Sequence, residues 1–450
     1  MSMLGTNFCA VFFIAYVGSL PYSKCDELVI EKYLKPATAT PILSPPLPQR
    51  PFLAVWNIDT SACKSKYNVE IDLSSFDIVN NPHETRDGDN MVIFYSGVFG
   101  VYPYIDDNGT AINGGIPQLG NISKHLEKCV EDIQKYIPDE DFRGLAVIDW
   151  ESWMPLWQWI GWGTGLLYQN ASKAKVKREH PDWSDAEILA QAKIEFESAA
   201  KSYFLATLNL ATFMRPKASW GFYKLPDCYN YDKTGYNFTC RDDVMEANDK
   251  IQWLFDHSTA LYPSTYLGIW FKNQTKAVDY TAYRVLEAQR VDNNIPGVAV
   301  PVYAYNNLVY RKTNEFLTLK DVIDSSGVAV VLGASGVVLW GDHMDNTKEK
   351  CEEVKAYVET ILGPYLKLAS DSAADCSLKR CNNHGRCVVV KSSISSNNVE
   401  IPSAMKAFLQ ITFLENMQYH VQCQCYEGFV GNSCENSDRW QKVTRPINEI

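Results

Sequence analysis

Two carboxylates one residue apart, Asp149 and Glu151, follow the apolar run Gly144 to Ile148. Side chains alternate across an extended strand, so the two acids share one face while Trp150 points to the other. Like charges held this close resist ionising together: one carboxyl keeps its proton near neutrality while its neighbour stays charged. That is the equipment of a general acid and base, although D-x-E by itself is far more often just an exposed strand end. Just downstream lie Trp153, Pro155, Trp157, Trp159 and Trp162. A single Trp is more often core than ligand surface, but aromatic faces suit sugar rings, and clustering beside carboxylates points to a saccharide.

Other chemistries are excluded by what the chain lacks. The seven histidines are scattered, with no H-E-x-x-H or paired spacing, so no metal site is expected. Gly333-Ala334-Ser335-Gly336 is out of register with a G-x-S-x-G elbow and reads as a tight approach into a strand. With no G-x-x-x-x-G-K and no dinucleotide fingerprint, no cofactor is implied. A net charge of -11 argues against nucleic acid as a partner.

The acids need a scaffold, and the pattern around them supplies one. Short apolar runs at Phe52 to Trp56, Met91 to Tyr95, Leu145 to Trp150, Trp220 to Tyr223, Val298 to Tyr305 and Gly336 to Trp340 read as buried strands. Helical patterns lie between them. The clearest starts at Ser184, which forms a capping box with Glu187, and stops at Arg215-Pro216, with Leu189, Ala192, Phe196, Ala199, Tyr203, Ala206, Leu210 and Phe213 as its core stripe. The fold class is α/β: a distorted (β/α) TIM-like barrel over residues 51–370, whose functional groups belong at strand C-terminal ends. Cys376, Cys381, Cys387, Cys423, Cys425 and Cys434 then mark a small disulfide-rich module over 371–436, whose closing C-x-C-x8-C spacing resembles an epidermal-growth-factor-like (EGF-like) unit.

Upstream, residues 1–23 read as a signal peptide and the proline-rich 24–50 as an extended lead-in rather than a packed element. Thirteen cysteines and five sequons, at Asn108, Asn121, Asn170, Asn237 and Asn273, indicate an oxidising, glycosylating route to secretion or to lysosomes. The tail over 437–450 is polar, and no membrane anchor is expected. The chain is expected to act as a monomer.

Taken together, Gly144 to Trp153, Trp220-Gly221-Phe222-Tyr223 with Pro226-Asp227-Cys228-Tyr229-Asn230, and Ala260-Leu261-Tyr262-Pro263-Ser264-x-Tyr266 resemble the animal hyaluronidases from about Pro51 to Cys434. The resemblance implies endohydrolysis of β-1,4 bonds between N-acetylglucosamine and glucuronate in hyaluronan, with chondroitin as a second candidate partner. The substrate's own acetamido oxygen would be the nucleophile. Glu151 would donate the proton and later act as base, an ionised Asp149 would orient the acetamido group, and Tyr223 would bond its carbonyl. Tyr95, Tyr266, Tyr305 and Trp340 would wall the cleft, and Arg284 would meet a substrate carboxylate.

The resemblance also implies disulfides Cys63 with Cys351, Cys228 with Cys240, Cys376 with Cys387, Cys381 with Cys423, and Cys425 with Cys434, leaving Cys25 and Cys129 as a further candidate pair. One departure stands out. Where relatives read E-x-W-R-P, this chain has Glu151-Ser152-Trp153-Met154-Pro155, and Asp342 adds a negative charge after Trp340-Gly341. Lost positive and gained negative charge facing a polyanion sustains an alternative reading: a catalytically impaired relative that binds glycosaminoglycan.

Overall fold

A computed structural model describes residues 40–80, 90–230, 238–294, 297–391 and 419–438. The segment expected to be a signal peptide, the start of the lead-in, Cys25, Asn237 and most of the polar tail lie outside them. Barrel strands are β1 (Leu53–Asn57), β2 (Ile78–Val79), β3 (Met91–Tyr95), β6 (Leu145–Asp149), β7 (Ser219–Phe222), β8 (Tyr303–Asn306) and β9 (Gly336–Trp340); β4 (Tyr104–Ile105) and β5 (Ala111–Ile112) form a small antiparallel ladder after β3. All barrel pairings are parallel, in two sheets ordered β2-β1-β9-β8 and β3-β6-β7.

The sheets are joined by the extended stretch Ala260 to Ser264, which bridges Tyr223 through Tyr262 on one side and Val302 and Tyr305 through Leu261 and Ser264 on the other. Gly221 permits that approach: a Cβ there would lie 2.2 Å from the Ala260 carbonyl oxygen. No ladder joins β2 to β3 among the described residues, so the barrel is distorted rather than uniformly closed.

Alternation along each strand divides the core. Leu53, Val55, Met91, Leu145, Val147, Tyr303, Tyr305 and Val338 point into the barrel, whereas Ala54, Trp56, Phe94, Ala146, Ile148, Trp220 and Phe222 meet the surrounding helices. The same alternation carries Tyr95, Asp149 and Trp340, the last residues of their strands, to the barrel mouth.

The long helix is Asp185–Met214, and its capping box is present: Ser184 Oγ accepts from the Glu187 amide at 3.4 Å and a Glu187 carboxylate oxygen accepts from the Ser184 amide at 2.8 Å. Its buried stripe differs from the expected one. Ile188, Ala192, Phe196, Ala200, Tyr203, Thr207, Leu208 and Ala211 face the core, while Leu189 and Phe213 are exposed. A seven-residue repeat drifts about 20° per heptad on a straight helix, so a stripe read over thirty residues turns its ends into solvent.

The tryptophan cluster also needs correction. Trp153, Trp157 and Trp159 are buried, and Trp153 stacks on Tyr102 at 4.8 Å and meets Phe196 edge-on; Trp162 alone of this group is exposed. Burying these large rings stabilises the shell around β6 and leaves them no face for a ligand.

The proline-rich lead-in is packed where it is described. Ile42 is 1% exposed, bridges Ala299 and Tyr426, and its amide donates to the Cys425 carbonyl at 2.9 Å, so this segment is wedged between barrel and module. The module is the hairpin β10 (Gly385–Lys391) and β11 (Tyr419–Cys425) with a small closing ladder, and the helix Gly363–Cys381 runs unbroken through the boundary expected at residue 370 to deliver Cys376 and Cys381. Buried Arg386 links module to barrel through Gln424 and Ser335.

Among the described residues five disulfides are closed: Cys63–Cys351, Cys228–Cys240, Cys376–Cys387, Cys381–Cys423 and Cys425–Cys434. Cys129 is buried against His125 and has no disulfide partner among the described residues; its candidate pairing with Cys25 lies outside them. Asn108, Asn121, Asn170 and Asn273 are exposed. No helix among the described residues is long and apolar enough to cross a membrane.

Candidate active site

Asp149 ends β6 in register with Tyr95 at the end of β3. Trp150 turns away to stack on Tyr102 at 4.7 Å, which fixes the backbone so that residues 149 and 151 face the mouth. Asp149 Oδ1 is buried and has no hydrogen-bond partner among the described residues. Glu151 stands above it with its side chain 54% exposed. Burial, then the Glu151 charge, pushes the Asp149 carboxyl up to about 7, while the Lys224 ammonium pulls the other way. Asp149, the deeper member of the pair, is therefore the acid whose charge the fold disfavours.

A tyrosine layer surrounds Asp149. Tyr223 follows β7 and packs edge-on against Tyr305 at 4.9 Å, and its hydroxyl faces that of Tyr266; burial raises its proton affinity strongly, so it remains a donor. Tyr266 stacks with Trp340 at 6.3 Å between centroids, and Trp340 Nε1 donates to the Tyr95 hydroxyl at 3.2 Å. Tyr95, Trp340, Tyr266 and Tyr223 thus form one continuous rim. Tyr305 belongs beneath it: at 1% exposure it is floor packing, not a wall, although its buried hydroxyl has no hydrogen-bond partner among the described residues.

Arg284 is not in the cleft. It is 1% exposed, donating from Nε to Asn230 Oδ1 at 2.8 Å and from Nη1 to the Ser264 carbonyl at 2.6 Å, with Nη2 3.2 Å from Asp227 Oδ1 and the guanidinium over the Tyr280 ring. The planar fork that suits a substrate carboxylate is spent on the Pro226 to Asn230 loop, which Cys228–Cys240 also ties down.

The chain matches the hyaluronidase family profile over residues 41–438. It is 38% identical to human hyaluronidase-1 over 412 residues, covering 88% of this chain and 94% of that protein. It belongs to the hyaluronidase family. A hyaluronidase-1 from Bitis arietans is 37% identical over 418 residues, covering 88% of this chain and 93% of that protein. Among solved structures, bee venom hyaluronidase in complex with a hyaluronic acid tetramer superposes with a TM-score of 0.64 at 34% identity, covering 70% of this chain and 98% of that one.

This hyaluronidase carries one group at its acid pair that the sequence reading passed over. Lys224, the second residue beyond β7, brings Nζ to 3.9 Å from Glu151 Oε2. The signal was available, since strand C-terminal ends are where barrel enzymes keep their working groups. Asp342 is exposed and close enough for its charge to act on Tyr95. No cluster of three or more His, Cys, Asp or Glu side chains among the described residues is placed to hold a metal ion.

The raised Asp149 carboxyl has a consequence for stability. The native state holds a proton there that the unfolded chain has released above about pH 4, so this contribution is present at low pH and is lost as pH rises towards about 7. Asp149→Asn removes the buried charge at every pH. It is expected to raise stability at pH 8 by on the order of 4 kcal/mol and to leave it nearly unchanged at pH 4, read from urea unfolding at both.

Proposed function

We propose that this hyaluronidase is an endo-acting, retaining hydrolase of β-1,4 N-acetylglucosaminide bonds in hyaluronan, and secondarily in chondroitin. It acts as a secreted or lysosomal monomer, with the barrel as its catalytic unit and the EGF-like module as an appended brace. The observation that carries the reading is the buried Asp149 Oδ1, without a hydrogen-bond partner among the described residues, close enough to Tyr223 and Tyr266 for its charge to act on both, with Glu151 beside it and more exposed.

An N-acetyl group lowered onto this floor meets Tyr223 at its carbonyl and Asp149 at its amide. The pair shares one proton, and the positive charge that develops on the acetamido group during attack favours an ionised Asp149, so the proton passes to Glu151. Glu151 gives it to the glycosidic oxygen as the acetamido oxygen bonds to C1 and the C1–O bond breaks. Water then enters; Glu151 takes its proton, the oxygen bonds to C1 and the cyclic intermediate reopens. Two displacements at C1 retain configuration.

The test is proton NMR of freshly cut hyaluronan. Retention delivers β-anomeric reducing ends first, with the α-anomer appearing only by mutarotation, and α-anomers arising first would sink the scheme. The impaired-binder alternative rests on Met154. Two observations weigh against it: Met154 packs against the hydrophobic cluster around Trp153, and Lys224 supplies a positive charge at the pair.

A further inference from the structure

We propose that Lys224 binds the carboxylate of the departing glucuronate, making it a substrate-binding residue specific to acidic polymers; this rests on the hydrolysis proposed above. Three observations converge on its side chain. First, it stands beside the proton donor, with Nζ 3.9 Å from Glu151 Oε2 and an attractive effect on Asp149.

Second, the chemistry of the bond fixes what must lie there. Glu151 protonates the oxygen on C4 of the glucuronate, and the glucuronate carboxylate is carried on the adjacent carbon, C5. A group within reach of the donor carboxyl is therefore within reach of that carboxylate. The uronate would otherwise enter a mouth that already holds Asp149, Glu151 and Asp342, and Arg284, the cation expected to receive it, is sealed in the core.

Third, nothing in the local backbone calls for a lysine. Lys224 has φ +71°, a left-handed conformation that favours glycine, and its amide is committed to the Tyr262 carbonyl at 2.9 Å. A long charged side chain there brings no conformational advantage. Its ammonium pairs with Glu151 in the free protein; once Glu151 is protonated, that partner loses its charge and the ammonium is released to the incoming uronate.

The same backbone conformation supplies a clean variant, because Lys224→Gly deletes the charge at a position glycine occupies without strain. Purified wild type, Lys224→Gly and Lys224→Arg are compared on hyaluronan and on hyaluronan whose carboxylates have been reduced to hydroxymethyl groups, with melting temperatures measured alongside. The ratio of kcat/KM for hyaluronan to that for the reduced polymer is expected to fall by about tenfold to a hundredfold in Lys224→Gly, chiefly through KM, and to be largely kept in Lys224→Arg. An unchanged ratio in a folded Lys224→Gly protein, or an equal loss on both polymers, overturns the role of Lys224 and leaves the hydrolysis standing. Absence of hyaluronan cleavage by the wild type overturns both.

Discussion

Glu151→Gln is expected to lower the turnover of hyaluronan by about a hundredfold to ten-thousandfold, the range for removing a positioned general acid and base. The amide keeps the shape of the side chain and cannot deliver a proton to the glycosidic oxygen. Fold should survive, because the side chain is 54% exposed and its contact with Lys224, at 3.9 Å, contributes little. Affinity should survive as well, since the rim of Tyr95, Trp340 and Tyr266 is untouched and a repulsive charge has been removed from the path of a polyanion. The informative measurement is therefore a pair: turnover by reducing-end assay and affinity by calorimetry on the same preparation. Turnover within a few-fold of wild type would remove Glu151 from the chemistry, and lost affinity with intact kcat would make it a binding residue instead.

Replacing Arg284 should give the opposite pattern. Arg284→Met is expected to cost about 3–5 kcal/mol of stability, since it leaves the Asp227 carboxylate, itself 3% exposed, without its ionic partner and strips donors from Asn230 Oδ1 and the Ser264 carbonyl. Both loops that carry the rim would loosen. Urea unfolding measures the loss, and adding Asp227→Asn to the same chain should recover part of it by neutralising the orphaned charge. A substrate-contacting arginine behaves differently: KM would rise with the unfolding midpoint unmoved, and that outcome would return Arg284 to the cleft.

Arg284 and the tryptophans downstream of Glu151 misled for the same reason. Residue type specifies what a side chain can do, a fork for carboxylates or a face for sugars, but the protein's own Asp227 and Phe196 present the same chemistry as a ligand. Only burial tells them apart. Lys224 is the converse case, a residue with no motif of its own that becomes significant because β7 ends beside β6.

Local patterns fixed a good deal. Period-two alternation was enough to aim Asp149 and Glu151 together and Trp150 away, because pleating is a property of the backbone and needs no partner. The Ser184 and Glu187 cap was likewise readable, since both halves of the bond lie within four residues. Apolar runs separated by helical patterns identified a parallel barrel, and with it the end at which the chemistry sits. What tertiary structure alone decided is which acid is buried and which cation stands beside the pair. Those depend on desolvation and on Coulomb terms between residues as distant in sequence as Glu151 and Lys224, and no spacing along the chain encodes how deeply a carboxyl will be buried.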